Sequence, residues 1–517
     1  MRVLYIDIDA CNPEHLGCYG YPRNTSPAID SLAREGVLFR NCYCSDAPCL
    51  PSRTAMYSGR FGIQTGVVGH GGSTADPRPN GSGRGFQDEF TSSSLPAVLA
   101  ENGFHTVLVS PFAERHSAHW FTAGFREIHN TGQCGMESVD DVEPELMSWL
   151  DRRGCDDNWY VHVNFWDPHT PYRVPDSYGD PFADDPLPPW VDDSAQLSQH
   201  MRLPGPHTAL DPGMYGDEDA GRWPRTVSRI DSMEALCHWV NGYDTAIRYV
   251  DDAIGRIVTK LKELGIYEET AIVVSADHGE CQGHLGIYGE HGTADEGTCH
   301  IPMVVKWPGG ASGREDEGLH YHLDFAPTLT ELLGIGRRDL WDGESYAEAV
   351  RPAAGDASSG RDELILSQCA HVCQRAVRWE RWLYIRTWHD GFHNFPHEML
   401  YDLVEDPREQ NNLAESMPET CREGSRRLSL WESRQLYARS MRCAAGLPGT
   451  GTDDPLWRVI EEGGPFHARL TSPGTPGSPE AFEAYCERLE ATGREQAAEV
   501  LREKYSEYLR ANRQQIR

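Results

Sequence analysis

The chain has 517 residues, 39% of them apolar, which predicts a sizeable packed core and excludes disorder as the overall state. It carries 47 Lys and Arg against 79 Asp and Glu, a formal net charge of −32 with His neutral, which speaks against nucleic acid or an anionic membrane surface as partner. No run of about 18 apolar residues occurs, so no membrane-spanning helix is encoded.

Val3 to Ile8 reads as a strand that starts within the first residues. No charged and apolar leader precedes it, which predicts a cytoplasmic protein; a trimmed leader would make it periplasmic or secreted. Ser26-Pro27 supplies an N-cap and a proline for the first helical position, so a helix runs through Ile29 and Leu32 to Gly36. Strands follow at Val37 to Phe39, Phe104 to Val109 and Tyr160 to Phe165. Ile247, Val250, Ile254, Ile257, Leu261 and Leu264 recur at helical spacing and predict a long helix over 232–264. Ala271 to Ala276 is a short buried strand ended by Asp277, and Ile301 to Val305 repeats the pattern. This alternation predicts an α/β fold with a large, mostly parallel central sheet flanked by helices.

Two segments break the alternation, 69–94 and 171–225, both rich in loop-forming residues; long loops inside a compact domain are commonly functional. Beyond residue 360, Arg375 to Thr387 and Glu398 to Leu403 read as short strands of a smaller antiparallel sheet. Two polar helices, at 479–491 and 494–513, follow the Pro/Gly-rich stretch Pro473 to Ser478. The expected division is an α/β catalytic domain over 1–360, an α+β subdomain over 361–445 and a helical extension over 446–517. The 15 cysteines, an odd number scattered along the chain, suit reduced thiols rather than a disulfide framework.

The strongest local feature is Cys49-Leu50-Pro51-Ser52-Arg53, ending in Ser58-Gly59-Arg60. Read alone, Cys49 is a buried thiol, or with Cys42 and Cys44 part of a zinc site that lacks a second ligand pair. The full string resembles the maturation motif of the type I sulfatases, in the alkaline-phosphatase-like superfamily. Val3-Leu4-Tyr5-Ile6-Asp7-Ile8-Asp9, Leu16-Gly17-Cys18-Tyr19-Gly20 and Ser26-Pro27-Ala28-Ile29-Asp30 agree with it, as do Asp402-Leu403, Asp406-Pro407 and Asn412-Leu413. The resemblance spans residues 1–415, in order.

That resemblance implies that a dedicated maturation enzyme oxidises Cys49 to formylglycine. One hydroxyl of the hydrated aldehyde then attacks sulfur and displaces the alcohol, and the other expels sulfate. Cys49 would open a helix whose amides face the sulfate, and Arg53, one turn on, would orient the diol or the sulfate. Asp9 and the pair Asp277-His278, each at the carboxyl end of a strand, fall on the family's metal ligands. The implied ion is Ca²⁺. Two departures weigh on it: Ala10 stands where relatives carry a second Asp, and His278 where many carry Asn. The imidazole shifts preference toward Mn²⁺, Fe²⁺ or Zn²⁺. Asp7, on the same strand face as Asp9, is a candidate substitute ligand or a partner behind the ligands.

His169, in Trp166-Asp167-Pro168-His169-Thr170-Pro171, is similar to the family's Pro-His-x-Pro histidine, which contacts sulfate and protonates the leaving oxygen. His291 falls where relatives carry a sulfate-binding Lys and is a candidate cation or general acid. The Gly-Lys-Trp-His motif expected after Gly103-Phe104 is absent; Arg115 and His116 are nearby cationic replacements. His284 and His300 are weaker candidates, each more often an ordinary loop residue.

The reading is a sulfatase acting on a small sulfated carbohydrate or oligosaccharide, with Trp166, Trp190, Trp223, His389 and His393 as polar aromatic-bearing positions for a sugar. Two alternatives stay open. A phosphonate monoester or phosphodiester hydrolase would share the formylglycine and typically the Asp-His pair. A non-catalytic glycan-binding relative would account for the departures. The acidic balance does not exclude an anionic substrate, because a metal ion, a helix N-terminus, Arg53 and several His can make a positive pocket inside an acidic shell. Nothing in the sequence indicates the oligomeric state.

Overall fold

β1 (Arg2–Ile8) is buried along its whole length, as a strand covered by helices on both faces must be. Around it the computed structural model describes residues 1–517 except 78–88, 192, 209, 212–221, 353–359, 445–453, 466–467, 471–477 and 516–517. Parts of both long loops, and residues 473–477, therefore lie outside the described residues.

The remaining strands, in chain order, are β2 (Val37–Tyr43), β3 (Asp46–Ala47), β4 (His105–Val109), β5 (Glu127–His129), β6 (Trp159–Phe165), β7 (Thr270–Ser275), β8 (His300–Ile301), β9 (Met303–Lys306), β10 (Arg314–Tyr321), β11 (Glu363–Gln368), β12 (Cys373–Trp379), β13 (Trp382–His389) and β14 (Glu398–Asp402). The large sheet runs β10-β2-β9-β7-β1-β6-β4-β5, with β8 on β2. β1 pairs in parallel with β6 and β7, so the carboxyl ends of these three strands emerge together. β9 runs antiparallel to β7 and β2, which makes the sheet mostly rather than wholly parallel. The expected strand over 301–305 is split at Pro302, which has no N–H to give the ladder.

Helices cover both faces. Ser26 precedes the helix Pro27–Glu35, whose buried side is Ile29, Leu32 and Ala33. The long helix Met233–Glu263 starts where the Ser232 side chain accepts from the Ala235 N–H, and it buries Ile247, Val250, Ile254, Ile257 and Leu261 against the sheet. Among the described residues no helix is long and apolar enough to cross a membrane.

The small sheet runs β14-β13-β12-β11-β3. β12, β13 and β14 are an antiparallel meander, whereas β3 joins β11 in parallel, with Ser367 opposite Asp46 and Gln368 opposite Ala47. The small sheet is thereby attached to the chain immediately before Cys49. The helix Pro418–Ala444 packs on it through Cys421 and Leu428, beside Ile365, Val377, Tyr384 and Leu400. The closing helices, Pro479–Ala491 and Glu495–Gln515, share a core of Phe482, Leu489 and Leu501 with Phe392 from the loop after β13.

Candidate active site

Asp9 follows β1, Asp277 and His278 follow β7, and His169 follows β6, so parallel pairing alone brings the three ends into one place. The helix Cys49–Ser58 closes on this place and is buried at every residue. It is tied down by Ser52, whose hydroxyl donates to the Asp277 carbonyl at 2.5 Å.

Arg53 is the hub. Its Nε reaches Asp7 Oδ2 at 2.7 Å, one terminal nitrogen reaches Asp277 Oδ2 at 2.6 Å and the other Asp9 Oδ2 at 3.0 Å. Its guanidinium also lies 4.5 Å from the Phe112 ring centroid. Asp7 Oδ2 is shared with His162 Nε2 at 3.1 Å, and Tyr57 and His162 Nδ1 are 2.7 Å apart behind it. Asp7 thus braces Arg53 through Oδ2, while its Oδ1 and that of Asp9 are buried without a hydrogen-bond partner.

The electrostatics call for a further cation. Three carboxylates face one guanidinium in a dry place. Burial drives the Asp277 and Asp9 carboxyls up despite Arg53, each also raised by its acidic neighbours. Asp7 goes the other way: burial opposes its ionisation, but Arg53 and His162 outweigh it and hold the carboxyl at about 2. Burial pushes His278 down to about 3, so it is a neutral imidazole, the form that binds metal. Its Nδ1–H donates to the Gly279 carbonyl at 2.8 Å, and its Nε2 lies 3.0 Å from Cys49 Sγ. Ligand atoms of Asp9, Cys49, Asp277 and His278 all fall within 4.8 Å of one another. Orphaned carboxylate oxygens, a neutral imidazole with a fixed tautomer and excess negative charge together suit a divalent cation.

At the position of the missing Asp, Ala10 is buried at a φ of +58°. Its N–H donates to Asp277 Oδ1 at 3.2 Å and its carbonyl accepts from Tyr243 at 2.7 Å. A backbone amide on Asp277, not a carboxylate on the metal, is what this chain places there; the left-handed conformation is uncommon for alanine and is held by these two bonds.

A ring of imidazoles surrounds Cys49. His291 stacks on His278, centroids 4.3 Å apart, and its buried Nδ1 has no hydrogen-bond partner. His169 lies 4.9 Å from His291, and its Nδ1–H donates to the Thr170 carbonyl at 2.5 Å. Burial, then Arg173, lowers His169, and burial with the neighbouring imidazoles lowers His291, so both are neutral in the absence of an anion. His116 completes a ligand triad with Cys49 and His70, packing 4.8 Å from the His70 ring, and burial with Arg115 pushes it down to about 3. Arg115 acts on this group electrostatically, on His116 and on His169 alike.

Other expected residues are placed elsewhere. His300 stacks on Tyr43 at 4.8 Å and its Nε2 donates to the Arg40 carbonyl at 2.8 Å; it bonds within the β2–β8 edge and joins none of the ligand groups around Cys49. His284 pairs with Glu14 at 3.4 Å. Trp166 packs beside His169 at 5.7 Å, whereas Trp190 is engaged by Tyr21 and Arg408. Cys42 and Cys44 enter no ligand group among the described residues.

Three participants were missed from sequence. His70 accepts from the Leu50 N–H at 3.4 Å, on the first turn of the Cys49 helix. Arg173 is buried and donates to the His169 carbonyl at 3.0 Å. His371 comes from the turn after β11 and lies 5.7 Å from the His291 ring. For Arg173 a signal existed, two residues past the Pro-His-x-Pro string; the other two lie in loops without a local pattern.

Burial of the thiol, with Asp9 and Asp277 beside it, raises Cys49 well above the ordinary thiol range, so the unmodified side chain is a protonated and poor nucleophile.

Comparison with known proteins agrees with this geometry. A sulfatase family model matches residues 2–335, and the model for the C-terminal part of N-sulphoglucosamine sulphohydrolase matches 289–421. The chain is 24% identical over 460 residues to the uncharacterized sulfatase YidJ of Escherichia coli, covering 80% of this chain and 83% of that one. It is 26% identical over 443 residues to the choline-sulfatase of Rhizobium meliloti, covering 76% and 78%. Among solved structures, one in complex with its substrate D-glucosamine-2-N,6-O-disulfate aligns with a TM-score of 0.65 at 17% identity, covering 84% of this chain and 98% of that one. The phosphonate monoester hydrolase of Silicibacter pomeroyi aligns with a TM-score of 0.66 at 18% identity, covering 84% and 95%. A family model that spans most of the chain and a nucleophile motif set among strand-end carboxylates lead to one conclusion: the chain belongs to the sulfatase family.

Proposed function

We propose that this protein hydrolyses a sulfate ester on a small sulfated carbohydrate, with Cys49 oxidised to formylglycine and a divalent ion held by Asp9, Asp277 and His278. The observation that carries the reading is the position of Cys49: first residue of a buried helix, 3.0 Å from His278 Nε2, within ligand distance of Asp9 and Asp277. Formylglycine would supply a hydrated aldehyde as nucleophile where the thiol is inert, and the ion would neutralise charge on the sulfate oxygens. Ca²⁺ suits the carboxylates and Mn²⁺ the imidazole.

The chain's own residues do the rest. Arg53 fixes the three carboxylates through one planar fork, and Asp7 holds Arg53 in turn. His169, with its Nδ1 proton committed to Thr170, offers Nε2 to the leaving oxygen. Burial keeps His169 and His291 neutral, with Arg173 beside His169 and other imidazoles beside His291; a bound anion reverses that balance and favours their protonation, one as acid and one as sulfate contact. A small sulfated sugar suits a site of buried side chains in an acidic protein better than a long polyanion does. The structure solved with a disulfated glucosamine is of the same kind.

The test is co-expression with a formylglycine-generating enzyme, mass spectrometry of the Cys49 peptide, and sulfate release from sulfated mono- and disaccharides beside an aryl sulfate and an aryl phosphonate. Conversion of Cys49 with faster turnover of sulfate esters is expected. Faster turnover of the phosphonate would give the site to phosphonate chemistry, the reading that the Asp277-His278 pair favours. An unconverted thiol in the native source would end both.

A further inference from the structure

The imidazoles around Cys49 fall into two arms, His278 with His291 and His70 with His116, each within ligand distance of the thiol. His371 spans them: its ring is 5.7 Å from His291 and 6.1 Å from His70. Of these rings it alone comes from the small sheet, from the turn that follows β11, and β11 is the strand paired with the residues just ahead of Cys49.

His371 is held by a buried carboxylate that the reaction scheme above does not use. Its Nδ1–H donates to Glu290 Oε1 at 2.8 Å. The other oxygen, Oε2, meets His393 Nε2 at 2.9 Å, and His393 Nδ1 faces the carbonyls of Asp390 and Gly391 at 2.9 and 3.1 Å. With acceptors at both nitrogens, His393 is an imidazolium that balances Glu290. All three side chains are buried. Two glycines permit the packing: a Cβ on Gly292 would lie 2.9 Å from that of His371, and one on Gly391 would lie 1.9 Å from the His371 carbonyl oxygen. The His393 loop is itself braced from the C-terminal helices, where Lys504 and Tyr505 donate to Asp390 and Phe392 packs 4.9 Å from Phe482.

A dry carboxylate with two imidazoles is costly unless it fixes a geometry that matters. Its hold on Nδ1 fixes the His371 ring so that Nε2 lies on the opposite edge, away from Glu290. We propose that His371 is a substrate-contacting residue that meets the sulfate group through Nε2, and that Glu290, shared with His393, is its positioning residue. This rests on the reading of the pocket as a sulfate-ester site.

The test uses the matured, metal-loaded protein and its His371→Ala, His371→Gln, Glu290→Gln and doubly substituted His371→Ala/Glu290→Gln variants. Two constants are measured: KM for 4-nitrophenyl sulfate and, by calorimetry, the Kd for inorganic sulfate. His371→Ala should raise both about tenfold, with partial recovery in His371→Gln, which keeps a donor. Glu290→Gln should raise both about threefold, and the double variant should be no worse than His371→Ala, because Glu290 acts through His371. Constants within about twofold of wild type in His371→Ala, or a double variant that multiplies the two effects, overturn the proposal. Should His371→Ala fail to fold, His371→Gln and Glu290→Gln carry the same comparison. A wild type that binds sulfate but turns over no sulfate ester removes the hydrolytic reading alone, since the Kd comparison still decides the role of His371. A wild type that binds no sulfate overturns both.

Discussion

His278 touches Cys49 Sγ with Nε2 at 3.0 Å while its Nδ1–H is spent on the carbonyl of the next residue, Gly279, at 2.8 Å. In the neutral ring that leaves Nε2 as the lone-pair atom, and it points to where the proposed nucleophile and ion meet. Replacing the ring tests what it coordinates.

His278→Asn exchanges a nitrogen ligand for an oxygen. The expected result is a metal preference displaced from Mn²⁺ toward Ca²⁺, read as the ratio of thermal shifts produced by the two ions. An unchanged ratio would remove His278 from the ligands.

Arg53→Met takes the guanidinium from three buried carboxylates. In metal-free protein the loss should be about 3–5 kcal/mol in urea unfolding, the usual cost of stripping a buried charge of its partner. An added divalent ion restores positive charge at the same oxygens, so the loss should shrink with metal present. The same loss with and without metal would mean that no ion sits on Asp9 and Asp277.

Arg494 and Asp211 are both buried and 2.5 Å apart, and Arg494 also donates to the Gly205 carbonyl at 2.8 Å. They clamp the closing helices to Gly205 and Asp211. Arg494→Ala should cost about 3–5 kcal/mol, read as a loss of stability in urea unfolding. A stability unchanged from wild type would show that the hairpin is held by its apolar core alone.

The Glu290–His393 pair gives stability a pH window. Burial works against the ionised Glu290, but His393 and His371 outweigh it and hold its carboxyl below the ordinary glutamate range. Its contribution is complete above the unfolded value near 4.5 and is lost as pH falls through the folded value. Burial opposes the charge on His393 too, yet Glu290 raises it above 6.5. Its contribution is complete below that unfolded value and is lost as pH rises through the raised one. The pair therefore stabilises most between about 4.5 and 6.5. His393→Gln should flatten the alkaline side of a plot of melting temperature against pH, and an unaltered alkaline side would refute the pairing.

The residues legible in sequence are those whose meaning is local. Asp9 and Asp277 follow apolar strands, His169 lies in a Pro-flanked string and Cys49 in a motif, so each could be named before any tertiary contact was known. The strands over 3–8 and 160–165 were legible as short apolar runs, and the helix over 232–264 because one-sided burial leaves a helical period in the sequence. What was hidden depends on contacts distant along the chain. Glu290 is 81 residues from His371 and 103 from His393, and no pattern in either loop announces the encounter. Strand direction was hidden as well: β9 looks like its parallel neighbours because both kinds of buried strand are apolar. β10, Arg-Glu-Asp-Glu-Gly-Leu-His-Tyr, was unreadable because an edge strand can keep charged side chains in water.

The helix that begins at Cys49 has no exposed residue, and Cys49 itself is 2% exposed. On the proposed conversion of Cys49 to formylglycine, a maturation enzyme that must grip this segment has nothing to grip once the two sheets have closed over it. Time of access, rather than affinity, then decides how much active protein a cell obtains. Chains that fold before they are converted would be stranded with a native structure and no nucleophile.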